Sequence, residues 1–228
     1  MAGIRASRMS PGTETQAVIA LTQGHRLTHH VAGLDRSKCL STFVPVVTQR
    51  LTLRRFTPAD GELAFRLYGD ERVMHFIGGP LDREACAALF QTRVLDYYAQ
   101  NAGLGIFATL ERASGACVGV HLLNHIQGES LVQVGYLLYP EFWGCGYATE
   151  MAKGLLVYGY RTLGLEQIVG IVDLPNLASQ RVLAKAGLRR NGERAFSHPA
   201  YASLGPLAWF ESERDSWLAT HDHRQVAP

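Results

Sequence analysis

The chain has 228 residues, an apolar fraction of 47% and a formal net charge of +2. That is room for one ordinary domain with extra sequence, or at most two small domains, and enough apolar matter for a core. Near-neutral bulk charge gives no argument for nucleic acid or an acidic membrane surface as a partner, and no apolar run approaches the roughly 18 residues of a spanning helix.

Cys39, Cys86, Cys117 and Cys145 show no C-x-x-C pairing and no metal-like spacing to histidine. Scattered thiols of this kind predict a reducing compartment, taken as the cytoplasm, with no bound metal, and the lack of a long apolar run predicts a soluble protein.

Residues 1–47 carry five basic residues against Glu14 and Asp35, several Ser, Thr and Gly, and a brief apolar patch at Val18 to Leu21. No period persists, so an N-terminal extension, disordered or poorly packed, is expected there. His25, His29 and His30 read as a loose surface cluster rather than a metal site. The organised domain is expected over residues 48–220, with 221–228 as a C-terminal tail.

From Arg50, RLTLRRF alternates and predicts a half-buried strand. Thr57-Pro58-Ala59-Asp60 reads as an N-cap with Pro at the first helical position and an acid three residues after the cap, so a helix should follow to about Tyr68. After an irregular stretch at Val73 to Pro80, a second helix is predicted from about Asp82 to Gln100, with Cys86, Phe90, Val94 and Tyr97 on one face. Gly105 to Leu110 and Ala116 to Leu123 then form a hairpin across Ala113-Ser114-Gly115. A third strand, Leu131 to Tyr139, follows.

That strand runs through Pro140, Phe142 and Trp143 into Gly144-Cys145-Gly146 and then directly into a helical pattern. The order strand, glycine turn, helix builds an anion site from backbone, because the first N–H groups of the helix lack intrahelical partners and the macrodipole is positive there. The helix places Ala148, Met151, Ala152, Leu155, Leu156 and Gly159 on one face and should stop at Gly164. Gln167 to Val172 is a short apolar strand. A further helix runs from an Asn176 N-cap to Gly187, and two strands are expected over Leu188 to Phe196 and Leu207 to Trp217. The class is α/β of the mixed α+β kind.

On RLTLRRFTPAD, VMHFIGGP, VGYLLYPEFWGCGYATEM and NLASQRVLAKAGLRRNGE, the chain resembles the GCN5-related N-acetyltransferase (GNAT) superfamily over about Thr48 to Trp217, and most its RimJ/RimL-like branch. The resemblance implies a GNAT fold: a mostly antiparallel twisted sheet of six or seven strands, about four helices, and a V-shaped splay between the two parallel strands at Leu131 to Tyr139 and Gln167 to Val172. It implies acetyl-CoA as co-substrate in that splay. The family's phosphate loop falls on Trp143, Gly144, Cys145, Gly146, Tyr147 and Ala148, running into Thr149. Main chain at Leu137 and Leu138 would pair with pantetheine, and an N–H near Leu138 would polarise the thioester carbonyl. Asn176 matches a pantetheine-binding asparagine, and Ser179 a residue that assists the leaving thiolate.

Two departures from the wider pattern stand out. The tyrosine acid seven residues beyond the asparagine is Leu183 here. Relatives often have Glu at the place of Gln133, and glutamine is no base, so removal of the amine proton falls to His121, His125, Glu129, Glu193 or a water chain. Ser179 and Glu193 are the residues taken as catalytic. His75 and His198 suit the acceptor side. Arg181 and Lys185, at i and i+4, suit either the 3′-phosphate of CoA or a solvated face. Cys145 at a helix start favours a thiolate, though the family admits many residues there. Phe142 and Trp143 either cover the cofactor or pack on the helix.

The expected activity is direct transfer of an acetyl group to a primary amine, either a protein N-terminal α-amine of the ribosomal-protein type or a small molecule, by a monomer or homodimer. A non-catalytic acyl-CoA-binding module is the competing reading. A P-loop phosphotransferase is excluded, since no Lys-Ser/Thr follows the glycine turn.

Overall fold

The computed structural model describes residues 43–221. The expectations for His25, His29 and His30, for Cys39 and for most of the two tails lie outside these residues. The architecture is one seven-stranded sheet in the order β1-β2-β3-β4-β5-β7-β6, with β1 at Leu51–Arg54, β2 at Gly105–Glu111, β3 at Cys117–His125, β4 at Val132–Leu138, β5 at Gln167–Asp173, β6 at Arg189–Arg194 and β7 at Leu207–Glu213. Neighbours pair antiparallel except β4 and β5, which run parallel. This is the mixed α/β sheet that the alternation of strands and helices predicts, and mostly antiparallel as the GNAT resemblance implies.

The helices divide between the two faces. On the front, α1 (Gly61–Tyr68), the short α2 (Glu71–Met74), and α3 (Arg83–Leu89), which continues through a π-helical stretch Phe90–Leu95 into α4 (Asp96–Gln100), cover β1 to β3. Cys86, Phe90 and Val94 are buried and Tyr97 half-buried, the face set out by their spacing. On the back, α5 (Tyr147–Val157) and α6 (Leu177–Ala186) cover β3, β4 and β5, with Met151, Ala152, Leu155 and Leu156 fully buried against the sheet. Burying four such side chains stabilises the fold by several kcal/mol at about 25 cal/mol per Å².

Local chemistry explains the element ends. Thr57 and Asp60 form the expected capping box, and Asp60 is also held bidentately by Arg54 at 2.8 Å, so its carboxyl is lowered to about 2. Gly164 and Gly187 close their helices at positive φ, and the Asn176 side chain caps α6 by accepting from the Ser179 N–H at 3.0 Å.

Two expectations are corrected. Trp217 lies not on a strand but on α7 (Arg214–His221), where its indole N–H donates to the Ala186 carbonyl at 2.9 Å and its ring stacks on His221. The reason is the end of α6: its last carbonyls need donors, and the adjacent Trp217 and Leu218 on an eight-residue helix leave no visible period. The second concerns the stretch Val73 to Pro80, expected as irregular, whose first residues close the short helix α2. Before the first strand, Phe43 stacks on Phe107 with centroids 4.5 Å apart, and Val46 is buried, so packed chain begins ahead of Thr48.

Candidate active site

Between β4 and β5 a single residue pair is in register, Gln133 with Val169. Beyond it the two strands separate while β4 stays fully paired to β3 up to Leu138. Tyr139 donates its N–H to Val118 on the β3 side at 3.1 Å. Alternation along the strand therefore aims the N–H and C=O groups of Tyr136 and Leu138 at the opened edge. Gly119, opposite Leu138, is required by this arrangement: a Cβ there would lie 2.2 Å from the Leu137 carbonyl oxygen.

The glycine turn stands at the mouth of that opening. Gly144 and Gly146 have φ of 75° and 79°, and Gly146 is the N-cap of α5. Trp143 to Gly146 are exposed, and the space in front of Gly144 is open. The Trp143 indole folds back and donates to the Leu138 carbonyl at 2.8 Å. This satisfies one of the two Leu138 groups on the free edge and leaves its N–H directed into the gap. The Cys145 thiol is exposed and close only to the Trp143 carbonyl, at 3.6 Å.

A brace from the other end of the sheet holds the turn. Arg50 bonds the Glu150 carboxylate through Nε at 2.7 Å and through its own backbone N–H at 2.8 Å, donates to the Cys145 carbonyl at 3.0 Å, and lies over the Tyr147 ring. Thr48 adds a hydroxyl bond to Glu150 at 2.7 Å, and Tyr147 donates its phenol to Glu111. These contacts hold the Glu150 carboxyl below its usual range. Thr149 is half-buried in the first turn of α5.

Across the gap, Asn176 and Ser179 are half-buried at the start of α6. The Ser179 hydroxyl lies 2.9 Å from the Tyr136 phenol, which also reaches the Ser179 carbonyl at 2.9 Å. Tyr136 thus ties β4 to α6 across the split, and burial pushes its pKa well above the usual phenol range. The sequence reading took Tyr136 only as a strand residue. Its even spacing from Val134 and Leu138, which face α5, was the available signal.

The candidate bases fare differently. His121 is fully buried on the α5 face, with Nδ1 2.8 Å from the Thr109 hydroxyl and Nε2 without a hydrogen bond. The Ala148 carbonyl approaches this ring short of hydrogen-bond geometry and offsets little of the lost hydration, so burial lowers the imidazole to about 3. It is a neutral core residue. His125 shares a bond with Tyr97 at 2.8 Å and is lowered by burial and then by Arg93. Glu129 is held by Arg194 at 2.7 Å. Glu193 is exposed on the edge strand β6, paired with Arg190 at 3.2 Å, with β7 and β5 between it and β4. The structure brings Ser179 to the opening and does not bring Glu193 there. Leu183 is buried in the core, Arg181 and Lys185 are exposed on α6, and His75 is exposed beside Phe76. His198 caps its own short turn through Ala200.

On the front face, Gln133 donates to the buried Asn124 at 3.3 Å. There the helices α1 to α4 cover one side of β4. The loop between β6 and β7 covers the other through Phe196 and Tyr201, which pack on Ile126, Val169 and Trp209. The covers approach at Gly78, where a Cβ would stand 3.9 Å from the Ser203 hydroxyl. A split sheet with an open glycine turn on its back and two covers meeting over its front leaves room for a reactant on either side of one strand.

Residues 50–189 match the family described as the acetyltransferase (GNAT) domain. The chain belongs to the GNAT acetyltransferase family. It is 30% identical over 151 residues to the uncharacterized N-acetyltransferase YoaA of Bacillus subtilis (strain 168), covering 64% of this chain and 82% of that one. A second relative from the same strain, the uncharacterized N-acetyltransferase YnaD, is 27% identical over 147 residues, covering 64% and 84%. Among solved structures, an acetyltransferase from Agrobacterium tumefaciens str. C58 superposes with a TM-score of 0.63 at 26% identity, over 76% of this chain and 96% of that one. The protein is an acetyltransferase with the GNAT fold. Among the described residues no helix is long and apolar enough to cross a membrane.

Proposed function

We propose that this GNAT enzyme transfers the acetyl group of acetyl-CoA to a primary amine in a ternary complex, and that it belongs to the RimJ/RimL-like branch of the family. The observation that carries the reading is the opened edge of β4, flanked by the glycine turn on one side and by Asn176 and Ser179 on the other. The residues fit the co-substrate: open space before Gly144, unpaired helix N–H groups and an aimed Leu138 N–H form a backbone cradle for an extended, doubly phosphorylated chain. The backbone of Gly144 to Ala148 with Thr149 would hold the pyrophosphate, Tyr136 to Leu138 the pantetheine arm, and the Asn176 amide, whose oxygen already caps α6, would donate to the arm from the far side. Trp143 covers the entrance.

When bound, acetyl-CoA supplies an acyl group activated as a thioester. The Leu138 N–H faces the carbonyl oxygen that gains charge as the amine nitrogen bonds to the carbonyl carbon. As the C–S bond breaks, the Ser179 hydroxyl, held by the Tyr136 phenol that burial keeps protonated, donates a hydrogen bond to the departing thiolate, which takes up the proton released by the amine through water and leaves as the thiol. Gln133 and Asn124 orient water that removes the surplus amine proton, a task that no carboxylate on β4 performs here. The acceptor is a protein N-terminal amine or a small-molecule amine. Free thiols at Cys86, Cys117 and Cys145 support a reducing compartment such as the cytoplasm. CoA release, read with a thiol reagent over a panel of amines and N-terminal peptides, tests the assignment. Turnover on at least one class is expected. CoA binding without turnover on any acceptor would leave a binding module, and no CoA binding would remove the co-substrate.

A further inference from the structure

Among the described residues Arg93, on the front helices, has no counterion. It projects from the π-helical stretch between α3 and α4, half-buried, and makes no hydrogen bond or ion pair among the described residues. The groups around its charge are phenols: the Tyr97 ring at 6.0 Å, Tyr201 of the β6–β7 loop, and Tyr68 at the end of α1. His125, beside it, is held back from charging by burial and then by this guanidinium. Glu129, which acts on the neighbouring Tyr201, is already taken by Arg194, and Asp96, one turn on, receives Gln91. Most arginines in the structure behave otherwise. Arg50, Arg54, Arg66, Arg72, Arg83, Arg190, Arg194 and Arg214 all pair with acids.

An uncompensated guanidinium in a partly dehydrated groove is costly to maintain. Stability alone would favour a neutral side chain at that place. Its planar fork of donors, backed by one aromatic ring and rimmed by hydroxyls, is suited to a planar anion arriving from solvent. Tyr97 and Tyr201 are anchored at the end of β3, close in the chain to Asn124, which holds Gln133 of β4: the Tyr97 phenol accepts from the His125 N–H at 2.9 Å, and that of Tyr201 from the Gln127 N–H at 3.2 Å. The site is therefore built and rigid rather than a chance surface charge.

We propose that Arg93 receives a carboxylate of the acceptor, so that the enzyme acts on primary amines that carry a carboxylate and not on polycationic amines. The proposal rests on the acetyltransferase reading above and adds the substrate class. The carboxylate comes either from an amino acid or from an acidic side chain close to a peptide N-terminus. A polyamine or an aminoglycoside would instead bring like charge against Arg93.

The test compares matched acceptors on wild type, Arg93→Gln and Arg93→Lys: ω-amino acids of increasing chain length against the alkylamines lacking the carboxylate, and peptides with Asp or Glu at the first two positions against their Asn or Gln counterparts. Wild type should prefer the carboxylate form by roughly 10- to 100-fold in kcat/KM, the scale of one charge-assisted bidentate contact. Arg93→Gln should erase that preference through KM, with acetyl-CoA KM unchanged, and Arg93→Lys should restore part of it. Whichever series shows the preference identifies the source of the carboxylate. Calorimetric binding of N-acetylated ω-amino acids against their amides to the CoA-loaded protein reads the same site without turnover. Failure to acetylate any amine while this discrimination persists would overturn the catalytic reading alone. Equal handling of charged and uncharged acceptors by wild type, or an equal loss on both in Arg93→Gln with CoA binding intact, would overturn the role of Arg93.

Discussion

The two sides of β4 are built by opposite strategies. On the back, the glycine turn and the start of α6 present mostly backbone groups and caps, and side chains such as Arg50 and Glu150 act by fixing the main chain. On the front, side chains from three separate segments, Tyr68 of α1, Arg93 and Tyr97 of the continuous run from α3 to α4, and Tyr201 of the β6–β7 loop, gather around one guanidinium that backbone alone does not place. A co-substrate that is always the same can be met by rigid main chain. An acceptor that differs between relatives is met by replaceable side chains, and the contrast teaches that the two halves should fail differently when altered.

The largest effects belong to the back. Gly146→Val forces a β-branched residue to a φ of 79°, which costs a few kcal/mol locally or moves the N–H groups of α5 out of place. Acetyl-CoA binding measured by calorimetry should weaken by about 100-fold or more, while the front groove, read by acceptor-product binding, stays intact. If both sides weaken alike, the separation of the two halves is broken. Ser179→Ala tests the chemistry between them: kcat should drop by about 100-fold with little change in acetyl-CoA KM, and Tyr136→Phe should reproduce part of the loss. An unchanged kcat in Ser179→Ala would reduce the residue to a first-turn helix position.

Next in size is an effect of pH on the shared strand layer. His121 titrates near 6.5 when unfolded and is lowered to about 3 in the fold. The unfolded chain therefore binds the extra proton first, so stability is full above pH 6.5 and falls as pH drops from 6.5 toward 3. The loss should amount to roughly 3–5 kcal/mol at the acid end. Denaturant midpoints measured between pH 7 and 4 should show this slope, and His121→Gln should flatten it. A slope that survives the substitution would assign the acid sensitivity to other groups.

The contrast between the halves also explains what could be read in advance. Gly144, Gly146 and Asn176 announce their backbone roles through residue type, since few other residues suit those conformations, and the alternating strands and helix faces reproduced the core. Arg93 and Tyr136 announce nothing. Each is an ordinary residue whose meaning comes from neighbours more than forty positions distant, such as Ser179 for Tyr136 and Tyr201 for Arg93. Glu193 illustrates the converse. Its type suited a base, and only the strand order, which sets β7 and β5 between it and β4, removes it from the opening. The helical state of Trp217 was hidden for the same reason, because its partner is the Ala186 carbonyl rather than a local neighbour.

The smallest predicted effects come from two carboxylates that look alike in sequence. Glu150 receives Thr48, the Arg50 backbone and the Arg50 side chain, with only 18% of its side chain exposed. Glu150→Gln keeps the shape but weakens the charge-assisted bonds, so Arg50 loses its anchor and the turn loosens. Acetyl-CoA KM should rise by about 3- to 10-fold, with kcat nearly unchanged and stability lower by about 1 kcal/mol. Glu193 pairs only with Arg190, at the rim of the sheet, and both are about half exposed, at 48% and 47%. An exposed pair of that kind contributes between nothing and about 1 kcal/mol. Glu193→Gln should therefore leave kcat, both KM values and their pH profiles as they are. A lost alkaline or acid limb in that variant would mean that the edge strand reaches the reacting amine after all, and the division of labour across β4 would have to be redrawn around it.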